Sequence, residues 1–286
     1  MATFKILVWA TIFWNLFDTY AFVTAPQRRT SSLYKTLGRD VVSHSFSHVH
    51  RASREDDDST DAGISDTDDT DEPEDITIRL LGRGNDAVVR VGCVLLAPTH
   101  EYSHWLMKAA IFVFAIGLND DGEKVTRGIV IDNPTVFTMN EMAPGMVNGI
   151  LAGNILFKGG DGGNDSAIMM HSYPLETSSE VGTSGIYEGG LQEAMDMADS
   201  GEVDPTKIKF FFNYVEFSDA ELRDMLSSSS SAGNGREDTW ASVELMTSSV
   251  DLVVDWDLRK GQAWQLLRNK MRNMERVLDE EADAFQ

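Results

Sequence analysis

Residues 92–134 have the sequence GCVLLAPTHEYSHWLMKAAIFVFAIGLNDDGEKVTRGIVIDNP, which contains three apolar runs. The runs cover residues 92–97, 111–118 and 128–131. The second and third are joined by Asn119-Asp120-Asp121-Gly122, and Asn, Asp and Gly are residue types that favour tight turns. The pattern therefore predicts a buried strand, followed by a β-hairpin that is buried on both faces.

The rest of the chain mixes strand and helix patterns. Short apolar runs at 155–158, 167–171 and 208–215 indicate further strands, and Ser218-Asp219-Ala220-Glu221 is a capping box that opens a helix. A long helix is expected from about Leu258, because apolar residues recur there at helical spacing: Trp264, Leu267, Met271, Met274 and Leu278. Hairpins without a steady βαβ alternation are typical of an α+β fold. We expect a single domain over residues 76–286, with a Ser-rich insertion at 227–235.

The first 75 residues have the composition of targeting peptides followed by a linker. Residues 1–21 carry Lys5, then an apolar run, then small residues before a cut after Ala21, which indicates a secretory signal peptide. Residues 22–55 are basic and rich in hydroxyl groups, as transit peptides are. The junction at Phe22 resembles the bipartite presequences of algae with secondary plastids, so the expected location is the plastid stroma. Residues 56–75 are strongly acidic and predict a disordered linker.

Charge argues against direct binding to nucleic acid. The formal net charge is −22, and residues 76–286 carry 17 Lys and Arg against 32 Asp and Glu, a net charge of −15. Phosphate backbones are repelled by such a surface. The basic cluster on the last predicted helix is Arg268, Lys270, Arg272 and Arg276, and a solvated helix face accounts for it. No membrane segment is expected once the presequence is removed.

A five-residue motif offers one catalytic alternative. His100-Glu101-Tyr102-Ser103-His104 matches the zinc-protease pattern H-E-x-x-H, in which two imidazoles one helical turn apart bind zinc and the glutamate acts as general base. We expect a short helical turn from Thr99 to Leu106. No third ligand is evident in the sequence, so a zinc hydrolase is kept only as the alternative.

Other chemistry-bearing patterns are weak. The Gly-rich residues 159–163 are not followed by the Lys of a phosphate-binding loop, and they lack the context of a dinucleotide site. Cys93 lies in an apolar strand pattern and is interpreted as a small buried residue. His44, His48 and His50 belong to the predicted presequence. The sequence gives no reason to expect a cofactor.

The order of several motifs resembles the YqgE/AlgH family. Those motifs are Leu95-Leu96-Ala97-Pro98, Asn119-Asp120-Asp121-Gly122, Gly128-Ile129-Val130 with Asn133-Pro134, Gly159-Gly160-Asp161, Met170-His171, Gly185-Ile186-Tyr187-Glu188-Gly189, and Asp255-Trp256-Asp257 with Trp264. Two blocks depart from the family pattern. Asp161 replaces the Pro of Gly-Gly-Pro, and residues 213–217 (NYVEF) lack the family's Gly-Trp pair.

The resemblance implies an α+β fold with a mixed, bifurcated sheet that curls into a partial barrel with flanking helices. It also implies a ligand or partner surface formed by the family motif positions Asn133, Pro134, Gly159, Gly160 and His171. The expected function is that of a plastid-targeted, non-catalytic protein that acts through contacts with a protein partner or a small ligand. An indirect regulator of transcription is the other alternative.

Overall fold

A computed structural model describes residues 76–101, 103–231 and 237–284. The predicted signal peptide, transit peptide and acidic linker end at residue 75 and lie outside the described residues. Among the helices of the described ranges, none combines the length and the apolar character that a bilayer crossing requires.

Strands hold more residues of the described fold than α-helices do. The strands are β1 (Ile78–Arg83), β2 (Cys93–Leu96), β3 (Ala110–Leu118), β4 (Lys124–Val130), β5 (Pro134–Thr138), β6 (Ile155–Lys158), β7 (Gly162–His171), β8 (Ser178–Glu180), β9 (Tyr187–Gly189), β10 (Ile208–Ser218), β11 (Ser229–Ser231), β12 (Glu237–Thr239) and β13 (Ala241–Leu245). The α-helices are α1 (Met139–Met142), α2 (Leu191–Ser200), α3 (Asp219–Ser227), α4 (Asp251–Val254) and α5 (Gln262–Ala284). The mixture confirms the predicted α+β class.

The main sheet is open and branches at β10. Its strand order is β1-β13-β2-β3-β4-β10-β7-β9-β8, with β6 and β5 added beside β10. The first part of β10 pairs with β7 and, in parallel, with β6, whereas residues 215–218 pair with β4. The change of partner follows Asn213, whose φ of 61° lies at a break in register. Because the end strands β1 and β8 do not pair with each other in the described sheet, it is not closed. The sheet branches as the resemblance implies, but it stays open and does not close into a barrel.

The predicted hairpin is confirmed as β3 and β4, and its turn is built as the residue types suggest. The Asn119 side-chain oxygen accepts hydrogen bonds from the backbone N–H groups of Asp121 (3.1 Å) and Glu123 (2.9 Å). Burial on both faces is confirmed only for the half of the hairpin next to β2. Leu118, beside the turn, is 69% exposed because the hairpin tip extends beyond the packed core.

Two hydrophobic clusters cover the two faces of the β6, β7 and β10 region. Alternate residues of β10 point to opposite sides, as strand geometry requires. Phe211 belongs to the larger cluster, with the β1–β4 half of the sheet and α5, while Phe210 belongs to the smaller one, which contains the buried Ala194 and Met195 of α2. Ala194 and Met195 therefore form an apolar face on α2. The capping box at Ser218 and Glu221 is also present and opens α3.

The C-terminal helix α5 is fixed to the sheet by buried polar groups as well as by its apolar face. Trp264 donates its indole N–H to the carbonyl of Ala97 at 2.7 Å. Arg268, 2% exposed, donates to the carbonyls of Leu96, Ala97 and Thr239 and to the carboxylate of Asp238. These acceptors lie at the ends of β2 and β12. The guanidinium therefore ties the helix to two separate strand ends.

Candidate functional site

The Gly159–Gly160 loop lies directly against the backbone of β10. A Cβ atom on Gly160 would come within 2.1 Å of the Tyr214 carbonyl carbon, and one on Gly159 within 2.3 Å of the Asn213 oxygen. Gly159 also joins two strands, because it accepts a hydrogen bond from Val130 N–H and donates one to the Phe212 carbonyl. Close backbone approach, which only glycine permits, therefore explains the pair.

Beside this loop the described structure has a cleft of about 190 Å³. We call it the Trp105 cleft. Its lining is formed by Trp105, Val130, Asn133, Lys158, Gly160, Asp161, Gly162, Val215, Glu216 and Phe217. Two of the predicted surface residues, Asn133 and Gly160, lie in this lining. Pro134 and Gly159 are their direct neighbours in the chain.

Trp105, Lys158 and Asp161 interact on one side of the cleft. The Lys158 ammonium nitrogen lies 3.5 Å from the centre of the Trp105 ring and 2.6 Å from a carboxylate oxygen of Asp161. Ammonium groups over a tryptophan face are attracted by the negative potential of the ring. The Trp105 side chain is nevertheless 52% exposed, so a large part of its surface remains open to solvent.

The opposite side of the cleft comes from the second half of β10. Glu216 accepts a hydrogen bond from the Nε atom of Arg127 at 2.6 Å, across the β4–β10 pair. Phe217 adds an aromatic wall. Val215, Glu216, Phe217 and Asp161 all belong to the two blocks in which this chain departs from the family pattern. Both departures therefore fall on one cleft.

His171 lies elsewhere, in the interior. Its side chain is 0% exposed, its Nε2 atom is 2.9 Å from the Gly189 carbonyl, and its Nδ1 atom accepts from the Tyr173 N–H at 3.3 Å. The ring stacks against Tyr187. Burial lowers the pKa of His171, because the charged imidazolium loses its water. Since Nδ1 accepts a hydrogen bond, the neutral ring suits this position, and the side chain takes no part in the cleft.

The zinc-binding interpretation of residues 100–104 is not supported. Residues 103–108, which precede β3, form bends and turns, and both His100 and His104 are exposed. Glu101 has a structural contact instead, because it accepts hydrogen bonds from the Ser103 N–H at 2.9 Å and from the Trp240 indole at 3.2 Å. Within the described ranges there is no group of three His, Cys, Asp or Glu side chains placed to hold a metal ion.

The basic residues of α5 do not form a single surface patch. Arg268 is buried in the contacts described above, Arg272 donates to the Thr99 hydroxyl at 3.2 Å, and Arg276 is 3.8 Å from Glu280. These three cations therefore differ in environment. This arrangement gives no support to a nucleic-acid surface on that helix.

Two buried ionisable residues, Asp132 and Lys209, were missed by the sequence analysis. Lys209 is 1% exposed, and its ammonium donates to the carbonyls of Ile131 and Asp255, both at 2.6 Å. Asp132 is 0% exposed and accepts from the Ala263 N–H at 2.8 Å, at the start of α5. Burial lowers the pKa of Lys209 to about 7 and raises the pKa of Asp132 to about 6. The Asp132 contact holds the first turn of α5, and the Lys209 contacts join β10 to Ile131 and to the end of α4. Neither residue lies in the lining of the Trp105 cleft.

The fold and the cleft define an α+β protein with one side-chain-sized recess beside a glycine-rich loop. Comparison with known proteins gives a partial match. The model of the AlgH-like family matches residues 113–231, so this part of the chain is similar to that family. The match confirms the resemblance drawn from the motifs.

Two solved structures are similar to the chain. Protein DIP2367 from Corynebacterium diphtheriae shares 15% identity with a TM-score of 0.43, over 62% of this chain and 85% of that one. The AlgH protein from Pseudomonas aeruginosa shares 15% identity with a TM-score of 0.42, over 63% of this chain and 87% of that one. A search of curated proteins gave no significant match.

Proposed function

We propose that the chain is a non-catalytic binding protein of the AlgH-like family and that the Trp105 cleft is its recognition site. The observation that carries the proposal is the combination of an exposed tryptophan with a lysine, two carboxylates and a phenylalanine around one recess. Aromatic surface with a few placed polar groups is typical of recognition sites.

The size of the cleft favours a small fragment or a single side chain of a partner. Sites for drug-sized molecules and cofactors usually have about 300–1,000 Å³, and this cleft has about 190 Å³. Its titratable side chains are also engaged with each other, since Lys158 contacts Asp161 and Glu216 contacts Arg127. Charged groups that are paired with each other beside an aromatic surface suit recognition.

A screen with two tryptophan variants tests this proposal. Peptides and metabolites are screened by thermal shift against the wild-type chain, Trp105→Ala and Trp256→Ala. Trp256 is 38% exposed and lies outside the cleft lining, so it is a matched control. We expect ligands that stabilise the wild type and Trp256→Ala but not Trp105→Ala. A screen in which every stabilising ligand acts equally on all three proteins would contradict the proposal.

We also propose that the protein works in the plastid stroma. The support is the order of a signal-like segment at 1–21 and a basic, hydroxyl-rich segment at 22–55. In an alga with a secondary plastid, residues 1–75 fused to a fluorescent protein should deliver it to the stroma. Removing residues 1–21 should leave the reporter in the cytosol, and replacing Phe22 by Ala should stop it before the stroma. Delivery of the reporter to the stroma without residues 1–21 would refute the proposed two-part targeting sequence.

A further inference from the structure

The Trp105 cleft already contains a bound cation, which is the ammonium group of the chain's own Lys158. That group lies between the Trp105 ring (3.5 Å) and the Asp161 carboxylate (2.6 Å). An aromatic face opposed to a carboxylate is the arrangement that proteins use to recognise alkylammonium and guanidinium groups. The cleft therefore has the groups of a cation-binding site, and the chain's own Lys158 occupies it.

The ion pair of the occupying lysine is partly open to solvent. The Lys158 side chain is 28% exposed, and the Asp161 side chain is 44% exposed. Ion pairs between exposed groups contribute little to stability, and the lysine stem has four rotatable carbons that can carry the ammonium into solvent. Lys158 can therefore leave the ring without disturbing the fold, unlike Lys209, whose ammonium is held by two buried carbonyls.

The charge around the cleft favours a guest of positive charge. Lys158 is the cation among the lining residues, and Asp161 and Glu216 are the anions. If the ammonium of Lys158 moves to solvent, the Asp161 carboxylate is left beside the tryptophan, while Glu216 stays paired with Arg127. The net charge of −15 on residues 76–286 adds a long-range attraction for basic partners.

We propose that the Trp105 cleft binds a lysine or arginine side chain of a protein partner, which displaces the ammonium of Lys158 from its position between Trp105 and Asp161. The inference rests on the proposed binding function of this cleft and adds the chemistry of its ligand. Lys158 is then an internal competitor, which weakens binding until a basic segment replaces it.

The test uses a fluorescent octapeptide of alternating lysine and glycine, and a second in which glutamate replaces each lysine. Binding to the purified full-length chain is measured by fluorescence anisotropy. We expect the lysine peptide to bind and the glutamate peptide not to bind. Trp105→Ala should weaken the lysine peptide about five- to tenfold, as the loss of a cation–π contact predicts, whereas Trp256→Ala should leave its affinity unchanged.

The decisive variant is Lys158→Met, because removal of a competitor should tighten binding. Its control is Lys124→Met, which removes the same charge from a side chain that is 59% exposed and paired with Asp219, outside the cleft. We expect Lys158→Met to bind the lysine peptide at least about threefold more tightly than Lys124→Met. Thermal melts of all variants confirm that they fold.

Each contrary result has a distinct meaning. A Lys158→Met protein that binds the lysine peptide no better than Lys124→Met refutes the competitor role and the proposal. If the glutamate peptide binds in a Trp105-dependent manner, the cleft is a recognition site, but for anions, so the proposed function stands and this inference falls. If neither peptide binds and the thermal-shift screen finds no Trp105-dependent ligand, both fail.

Discussion

Replacing the buried Lys209 by methionine should change how stability depends on pH. The ammonium lies among Phe157, Phe211 and two carbonyls, in a site that is 1% exposed. The loss of water lowers its pKa to about 7, although Asp132 and Asp255 oppose the shift. Methionine is similar to lysine in length and has an apolar stem, but it lacks the titratable ammonium group.

Whether stability rises or falls with pH depends on how many protons the folded and the unfolded chain bind. Between pH 7 and about 10.5 the unfolded chain holds a proton on Lys209 that the folded chain has lost, so stability rises with pH across this window. The effect of Lys209 on the free energy of unfolding is most favourable above pH 10.5 and least favourable below pH 7. For pKa values of about 7 and 10.5, the gain from pH 7 to pH 9 is about 2 kcal/mol. For a domain of this size that gain corresponds to about 4–8 °C in Tm.

Asp132 titrates in a different window. Its pKa is raised to about 6 by burial, so the folded chain holds more protons than the unfolded chain between about pH 4 and 6. Stability from this group is full below that window and falls as pH rises through it. Above pH 7 the carboxyl is ionised in both states. It therefore adds no slope to the range in which Lys209 is measured.

The assay is chemical denaturation at pH 7, 8 and 9 for the wild type, Lys209→Met and Lys207→Met. Lys207 is paired with Asp251 at 2.7 Å on the surface, and this contact raises its pKa. In Lys207→Met the free energy of unfolding should still rise between pH 7 and 9 as in the wild type. Lys209→Met should reduce that rise in the free energy of unfolding by about 2 kcal/mol. Curves for the wild type and Lys209→Met that run parallel would refute the assignment of a neutralised buried lysine.

Three further variants test the fold and the loop beside the cleft, each by chemical denaturation. Gly160→Ala should cost about 1–3 kcal/mol through overpacking against β10, whereas Gly153→Ala, where an added Cβ meets nothing within 4 Å, should be tolerated. Arg268→Lys should lose about 3 kcal/mol or more, because an ammonium cannot reach all the acceptors of the buried guanidinium; a loss below 1 kcal/mol would contradict that role. Ser218→Ala should cost about 1 kcal/mol by removing the cap of α3, and an unchanged midpoint would count against the capping box.

Much of the local structure could be predicted from the sequence. The turn at Asn119 was predictable because side-chain oxygens and glycine are needed there whatever surrounds them. The capping box at Ser218 was predictable for the same reason, since all of its partners lie within four residues. The apolar face of α2 follows from helical spacing alone. In each case the decisive interactions are short-range in the chain.

Errors arose where distant contacts decide the outcome. Zinc binding by His100 and His104 would need a helix, but residues 103–108 form bends and turns. Glu101 instead accepts a hydrogen bond from Trp240, which is 139 residues away. Arg268 was placed on a solvated face because the helix pattern does not show that β2 and β12 end beneath it. The curl of the sheet was misjudged because closure depends on whether the two end strands can meet.

The sequence by itself determined the α+β class, the hairpin and the capping box of α3, because spacing and side-chain type are sufficient for interactions between near neighbours. Only the tertiary structure decided that Trp105 meets Lys158, and that His171 is buried while Asn133 reaches a cleft. Those outcomes depend on the branch of the sheet at β10, which brings together segments from three parts of the chain. Charge, burial and distance at that branch are properties of the assembled fold.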